Sequence, residues 1–577
     1  MRSDSSAFQA RNRAGVAEPV VVVEISLNSE NTQLAYLTSS QVSGLPSGSG
    51  IISFQESLIS CSSTSQKLKV SDFSSTIGNI KAKAADDDSG NITSYFRSQF
   101  GIGRTTSNNR FRMYAGFSGL EFSEFALVQT QIVRNVEYNR GEIQFQCLDV
   151  QRDTKKNIFD PKTTILTANL TDSTTTVNVQ STSGFDLVWH GTSWSDAPST
   201  DAGYLILRDD DDNYEIMRWS SKTANSFTIA ERGAMGTVAR DWAALDGDGD
   251  SNELEVVEFI YLELPVAKLA YAVLTGNLYG DAGERLPDHW NLDISEQWVS
   301  TSQFVNIGAD VWDPSDDTRG RQCLFMGLDK EDGRKFINEQ LMPMIGCFMP
   351  ISATGELGLR RISSVLSSSP YKALLTKDNI DSISPIKYAQ DEVQNQMQVD
   401  WSWDFVKESF RRASLFADNH SAVDNGYGWR DPKVVELKGM HGNIHSRDFI
   451  KGLFASFRDR YSSEPIYCKV QLIPGLNVLE VADTVRLTMD GWEDYTDSGY
   501  LDRTFEVQGV TVDWIKGNVT ADLFGSTHDG TPLADDGEGY GAGFALSDAL
   551  LTGEGTDIES TFSANVSRSG DLVTNGS

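Results

Sequence analysis

Positive charge is scarce in this chain. Lys and Arg number 49 against 81 Asp and Glu, a net charge of −32. That balance argues against nucleic acid as a bound partner, because phosphate binding needs clustered cations, and against adhesion to an anionic membrane. It favours a highly soluble surface or cationic partners. Cysteine is sparse and scattered, at positions Cys61, Cys147, Cys323, Cys347 and Cys468. The number is odd and no C-x-x-C occurs, which excludes a zinc ribbon or iron–sulfur pattern by local spacing. Buried free thiols, in a protein made in a reducing cytoplasm, are expected. No run approaches about 18 apolar residues, so no membrane-crossing helix is expected. The opening MRSDSSAFQARNRAG lacks the apolar core of a secretory signal. The chain contains no GxSxG, no HExxH and no phosphate-cradling glycine loop.

What is present is material for several cores. Hydrophobic residues make up 39% and aromatics 10%, with 12 Trp, so the chain is not disordered. A length of 577 residues exceeds what one core supports and suggests about three to five domains. Abundant Gly, Ser and Thr favour strands and loops. The expected fold is mainly β with a few helices, β and α+β in several domains. Composition divides the chain into a polar arm at 1–19, a β domain at 20–160 and a small inserted β domain at 161–260. A helix-containing α+β domain follows at 261–375, then a C-terminal β domain at 376–525 and an acidic, Gly/Ser-rich tail at 526–577. The arm and the tail are expected to stay mobile until a partner orders them.

The best-written unit is residues 466–524. Ile466 to Leu472, Thr484 to Met489, Thr504 to Ile515 and Val519 to Phe524 read as strands, with Gly517-Asn518 marking a hairpin. Val478 to Val481 is a short apolar segment before the turn-forming Asp483. The long strand changes phase: Phe505 and Val507 set one alternation, while Val510, Val512 and Trp514 continue out of step. A bulge at Gly509 repairs this, since a one-residue slip otherwise turns the apolar set to the wrong face. Upstream, RFRMYAGF, FALVQTQIVRNV and EIQFQCLDV form a three-strand meander. Residues 262–278 predict a buried helix with Pro265 in its first turn and Gly276 at its end. A second helix is expected near Arg334 to Met342. Ser446 opens an amphipathic helix with Leu453, Phe454, Phe457 and Tyr461 on one face and Arg458 off it.

Candidate chemistry is thin. Asp246, Asp248, Asp250 and Asn252 have calcium-loop spacing, but Ser251 and Val257 stand where Gly and Glu are required. Asp209 to Asp212 reads as a charged hairpin tip. His441 and His445 form HxxxH, weakened as a zinc pair by Gly442 and by the missing Glu. Glu121 and Glu124 are an acidic pair of the kind that arises by chance in so acidic a chain. Trp401 and Trp403 on one strand face could stack sugars; core or interface packing is the competing account. No catalytic, cofactor or metal residue is therefore assigned.

Three stretches carry a resemblance. RFRMYAGFSGLEFSEFALVQTQIVRNVEYNRGEIQFQCLDV resembles the first domain of the baseplate or tail-tip hubs of long-tailed, siphovirus-like bacteriophages and of the related gene transfer agent hub. YLILRDDDDNYEIMRWSSKTANSFTIAERGAMGT is similar to a small β module inserted in phage tail proteins. PGLNVLEVADTVRLT with FEVQGVTVDWIKGNVTADL resembles the closing segment of hub and tail-tip proteins. The resemblance implies a non-enzymatic virion protein with two tail-tube-like β-barrel domains, forming a homotrimer at the distal end of the tail. Such a trimer presents a pseudo-sixfold ring to the tail tube and distal tail protein, and contacts the tape measure C-terminus and tail fibres or receptor-binding proteins. It closes the channel and takes part in its opening, with DNA passing only transiently. It implies no cofactor. The scattered cysteines depart from tail-tip proteins that carry an iron–sulfur centre, and no fused lysozyme or peptidase motif is present. The competing readings are a carbohydrate- or receptor-binding adhesin and a cell-wall hydrolase.

Overall fold

The computed structural model describes residues 5–14, 18–28, 30–86, 91–100, 109–189, 201–209, 213–244, 254–278, 285–311, 322–362, 365, 370–405, 407–441, 447–493, 500–528 and 544–550. The chain is mainly β, arranged in several sheets with a few helices. The expected meander forms: Arg110–Phe117, Ala126–Asn139 and Glu142–Leu148 are consecutive antiparallel strands. Ile143, Phe145 and Cys147 are fully buried on one face, as their alternation requires. These strands lie within an eight-stranded sheet that also holds Pro19–Ser26, Leu34–Thr38 and Lys81–Ala85. Its edges are Ile51–Phe54 and Leu58–Cys61, which residues 55–57 join directly. So short a link requires the two edges to approach one another, which rolls the sheet towards a barrel.

The C-terminal sheet uses the same device. Its path runs Ala373–Leu375, Thr484–Glu493, Tyr500–Asp513, Asn518–Ser526, Pro465–Leu472 and Ile380–Ile383, and residues 376–379 join the edges. In both sheets one edge strand is parallel to its neighbour: Ile51–Phe54 beside Leu34–Thr38, and Ala373–Leu375 beside Thr484–Glu493. The segment Val478 to Val481 forms no strand, although Leu479 and Val481 are buried.

The expected bulge is present. Pairing with Asn518–Ser526 shifts between Val507 and Gly509, leaving Gln508 as the extra residue. Phe505, Val507, Val510 and Val512 are consequently all buried. On its other side the long strand changes partner at the same place. Thr484–Glu493 pairs with it as far as Glu506, and Thr64–Lys69 takes over from Gly509 to Val512. Strand Thr64–Lys69 thus belongs in sequence to the N-terminal unit and in pairing to the C-terminal sheet. The apolar cores of the two units form one continuous cluster.

Residues 163–258 form a small sheet whose strands include Asp201–Arg208, Tyr214–Lys222 and Ser226–Glu231. Its edge strands are bridged where Thr167 N donates to Asn178 O and Gln180 N donates to Ile165 O, both at 2.9 Å. The sheet is therefore closed.

Four expectations need correction. Residues 262–265 are strand: Ile260–Pro265 pairs with Gln322–Gly327, and the helix begins at Val266. The ring of Pro265 disfavours a helical residue before it. The helix Val266–Thr275 is buried throughout and ends on Gly276 at φ 80°. The N-terminal arm is not free, because Ser6–Ala14 is a helix whose Phe8 is fully buried against Phe117, ring centroids 5.2 Å apart. Asn12 Nδ2 donates to Asn477 Oδ1 at 2.9 Å, fixing that helix to the C-terminal unit. In the acidic tail, Phe544–Leu550 is a strand paired with Ser409–Asp418 of the same chain. Finally, Arg458 faces inward, with a side chain 4% exposed.

Candidate functional site

The sequence candidates divide between described and undescribed residues. Asp246, Asp248, Asp250, Asn252 and His445 lie outside the described residues, as do 210–212. Asp209 closes its turn by accepting from Asn213 N and Asn213 Nδ2, both at 2.9 Å. Glu121 and Glu124 form a capping box, in which Glu121 N donates to Glu124 Oε2 at 3.0 Å. His441 is buried, and that burial pushes its imidazole down to about 4. Among the described residues no group of three His, Cys, Asp or Glu is placed to hold a metal. Trp401 is 5% exposed and donates from Nε1 to Ser414 Oγ at 3.0 Å. Trp403 is half-buried, with Lys438 Nζ 4.9 Å from its ring centroid. The left-handed Ser402 between them, φ 63°, breaks the alternation, so the two rings form no shared exposed platform. All five cysteines are free thiols; four are buried and Cys61 is half-buried. Burial pushes Cys61 and Cys468 up to about 12, away from thiolate chemistry.

A concavity lies where the units meet. It has a volume of about 460 Å³ and is walled by the crossing segment around Val70, by Leu453 and Phe457 of the helix Arg447–Tyr461, by Met397, and by the bulged Gln508. Arg460 and Tyr461 also line it. Arg460 is 3% exposed and binds the fully buried Glu506 bidentately, Nη2 to Oε1 at 2.6 Å and Nη1 to Oε2 at 3.1 Å. Burial opposes the charge on Arg460, but Glu506 outweighs it and holds the guanidinium above its ordinary value. Its guanidinium also lies 4.6 Å from the Phe524 ring centroid. Tyr467, whose ring packs on the same Phe524 5.5 Å away, donates from Oη to Glu392 Oε2 at 2.8 Å, and Lys387 Nζ donates to Glu392 Oε1 at 2.6 Å. These polar groups are committed to one another. They fix the helix, the long strand and the 387–392 segment in place, and the arrangement is that of a structural junction.

Helical periodicity misplaced Arg458 and did not single out Arg460, because it scores an arginine as solvent-seeking. The signal that finds Arg460 is Glu506, set between Phe505 and Val507 in an apolar strand. A buried carboxylate there requires a cation from elsewhere in the fold.

The geometry defines a multi-sheet β protein built around two rolled sheets. No family model matches the chain, and no curated protein matches it. Among solved structures it is similar to a tail protein from Neisseria meningitidis MC58, at 9% identity and TM-score 0.34, covering 89% of this chain and 99% of that one. It is similar to prophage tail protein gp18 from Listeria monocytogenes EGD-e, at 8% identity and TM-score 0.37, covering 89% and 95%. It is also similar to the 43 kDa tail protein of prophage MuSo2 from Shewanella oneidensis, at 8% identity and TM-score 0.33, covering 81% and 94%. At such identities and TM-scores these likenesses assign no function.

Proposed function

We propose that this chain is a non-enzymatic structural protein of a bacteriophage tail, acting as the trimeric hub at its distal end. The observation that carries the proposal is the repeated closure device. Two sheets in one chain each have edge strands joined by a short link, each with one parallel edge. Three copies then supply six rolled β units, the number that a sixfold tube and distal ring present. The stretches resembling phage hubs fall within these two sheets and the small closed sheet between them. The proposed hub domains are residues 20–160 and 376–525, the second completed by the edge strand Ala373–Leu375, and the inserted module is 161–260. In this role the trimer closes the channel around the tape measure C-terminus, carries fibres or receptor-binding proteins, and opens for DNA. The burial of Trp401 removes one support of the adhesin reading, the Trp401–Trp403 platform.

Mass measurement of the purified protein, alone and mixed with tail tube, tests the proposal. A trimer that joins the tube supports it. A stable monomer indifferent to tail proteins overturns it.

A further inference from the structure

On the N-terminal sheet, two arginines share one carboxylate. Arg110 and Arg112 lie on one face of Arg110–Phe117, with Glu24 directly opposite Arg112 on the neighbouring strand. Glu24 is 5% exposed and much of its accepting capacity is taken: Tyr36 Oη donates to Oε2 at 2.9 Å and Tyr114 Oη at 3.4 Å. Arg112 Nη1 reaches Oε1 at 3.3 Å. Arg110 stands 3.9 Å from the same oxygen, too far for a hydrogen bond. Among the described residues its side chain donates to nothing, and the Nε atoms of both arginines are buried without an acceptor. The Arg110 and Arg112 side chains are 23% and 29% exposed while their Nε atoms are buried, so an approaching group meets the outer Nη ends.

A partly buried guanidinium with unused donors is costly, and a second cation beside it adds to the cost. Burial and Arg112 both push Arg110 below its ordinary value, the opposite of what a paired arginine shows. A carboxylate supplies what is missing: one negative charge and two oxygens matching the planar fork. With 81 acidic residues against 49 basic ones, another copy of this chain presents carboxylates in excess.

We propose that Arg110 and Arg112 form a docking site for an Asp or Glu side chain of a second copy of this chain. The inference rests on the hub reading, and it names one contact of the assembly. Glu24, itself held by the hydroxyls of Tyr36 and Tyr114, anchors Arg112, and Arg110, in only a 3.9 Å ion pair with Glu24, has its Nη donors available for the incoming carboxylate.

Sedimentation of the full chain and its variants tests this. Arg110→Gln removes no hydrogen bond within the described residues, so its fold is expected to persist, as circular dichroism checks. Self-association should weaken by at least about tenfold. Arg112→Lys, which keeps the charge but loses the fork, should weaken it less. Sodium phosphate should dissociate the wild type at lower ionic strength than sodium chloride does. A wild-type trimer matched by an equally tight Arg110→Gln trimer overturns this inference and leaves the hub reading standing. A wild type that is monomeric with and without tail tube overturns both. Arginine-dependent binding of an oligonucleotide by an otherwise monomeric protein would assign the site to nucleic-acid phosphate and overturn the carboxylate.

Discussion

Glu215 is fully buried in the small closed sheet, and five donors surround it. Arg232 gives two hydrogen bonds, from Nε at 2.6 Å and Nη2 at 2.9 Å. Gly233 N and Arg240 N each donate at 3.1 Å, and Trp242 Nε1 at 2.7 Å. Burial alone would raise its pKa; Arg232, Trp242 and the Arg240 amide outweigh that and hold the carboxyl below the usual carboxylate range. A depressed folded pKa means that stability is present at neutral pH and is lost as pH falls through the folded value. Replacing Glu215 with Gln leaves Arg232 buried and unpaired, at a cost of roughly 3–5 kcal/mol. Tryptophan fluorescence, with Trp219 and Trp242 in this module, should report an earlier unfolding transition in Glu215→Gln at pH 7. The difference from wild type should shrink as pH falls through the usual carboxylate range, where the unfolded chain's carboxyl protonates first, and vanish below the depressed folded value. An unchanged midpoint at neutral pH would refute this. The need for such a cluster was partly legible. Alternation puts Glu215 on the same face as the buried Met217 and Trp219, so it had to meet a cation. Which arginine answers was not legible, because the donors sit in a loop without periodicity.

At the scale of elements, the bulge was legible and its purpose was not. The phase change between Val507 and Val510 required an extra residue, and Gln508 is that residue. The sequence contains no local trace of Thr64–Lys69 as a neighbour, because a pairing across more than four hundred residues leaves no periodic pattern at either end. The bulge falls where Thr484–Glu493 gives way to Thr64–Lys69, so the bend lets one strand serve two partners. Locally coded elements follow the same division. The meander and the cap at Gly276 were readable from alternation and turn residues. The helix Ser6–Ala14 was not, since its anchors, Phe8 and Asn12, depend on Phe117 and Asn477. Deleting Gln508 forces a choice between faces. Either Phe505 and Val507 or Val510, Val512 and Trp514 must turn outward. Hydrogen exchange should then show amides of 64–67 and 509–512 losing protection, while the N-terminal meander keeps its own. Equal protection in the deletion variant would show that the bulge is not needed for the shared strand.

At the scale of the whole molecule, the closures were the least legible feature, because they are made by edge strands too short to show alternation. Ile51–Phe54, Leu58–Cys61, Ala373–Leu375 and Ile380–Ile383 carry no distinctive pattern, yet they set the shape of both sheets. Net charge was legible from composition alone, and its consequence belongs to this scale. In the proposed hub, a ring of three such chains would carry three times −32, and a channel through it that passes DNA must not hold the phosphates. Like charge across a lumen keeps a polyanion mobile, whereas a basic wall would bind it and release counterions. The assembled protein should therefore show no measurable affinity for duplex DNA in fluorescence anisotropy, even at about 50 mM salt, where electrostatic binding is strongest. Binding that strengthens as salt falls would reveal a cationic lumen. That result would leave the acidic composition without a role in DNA passage, and the shared architecture of the two sheets to be accounted for by assembly alone.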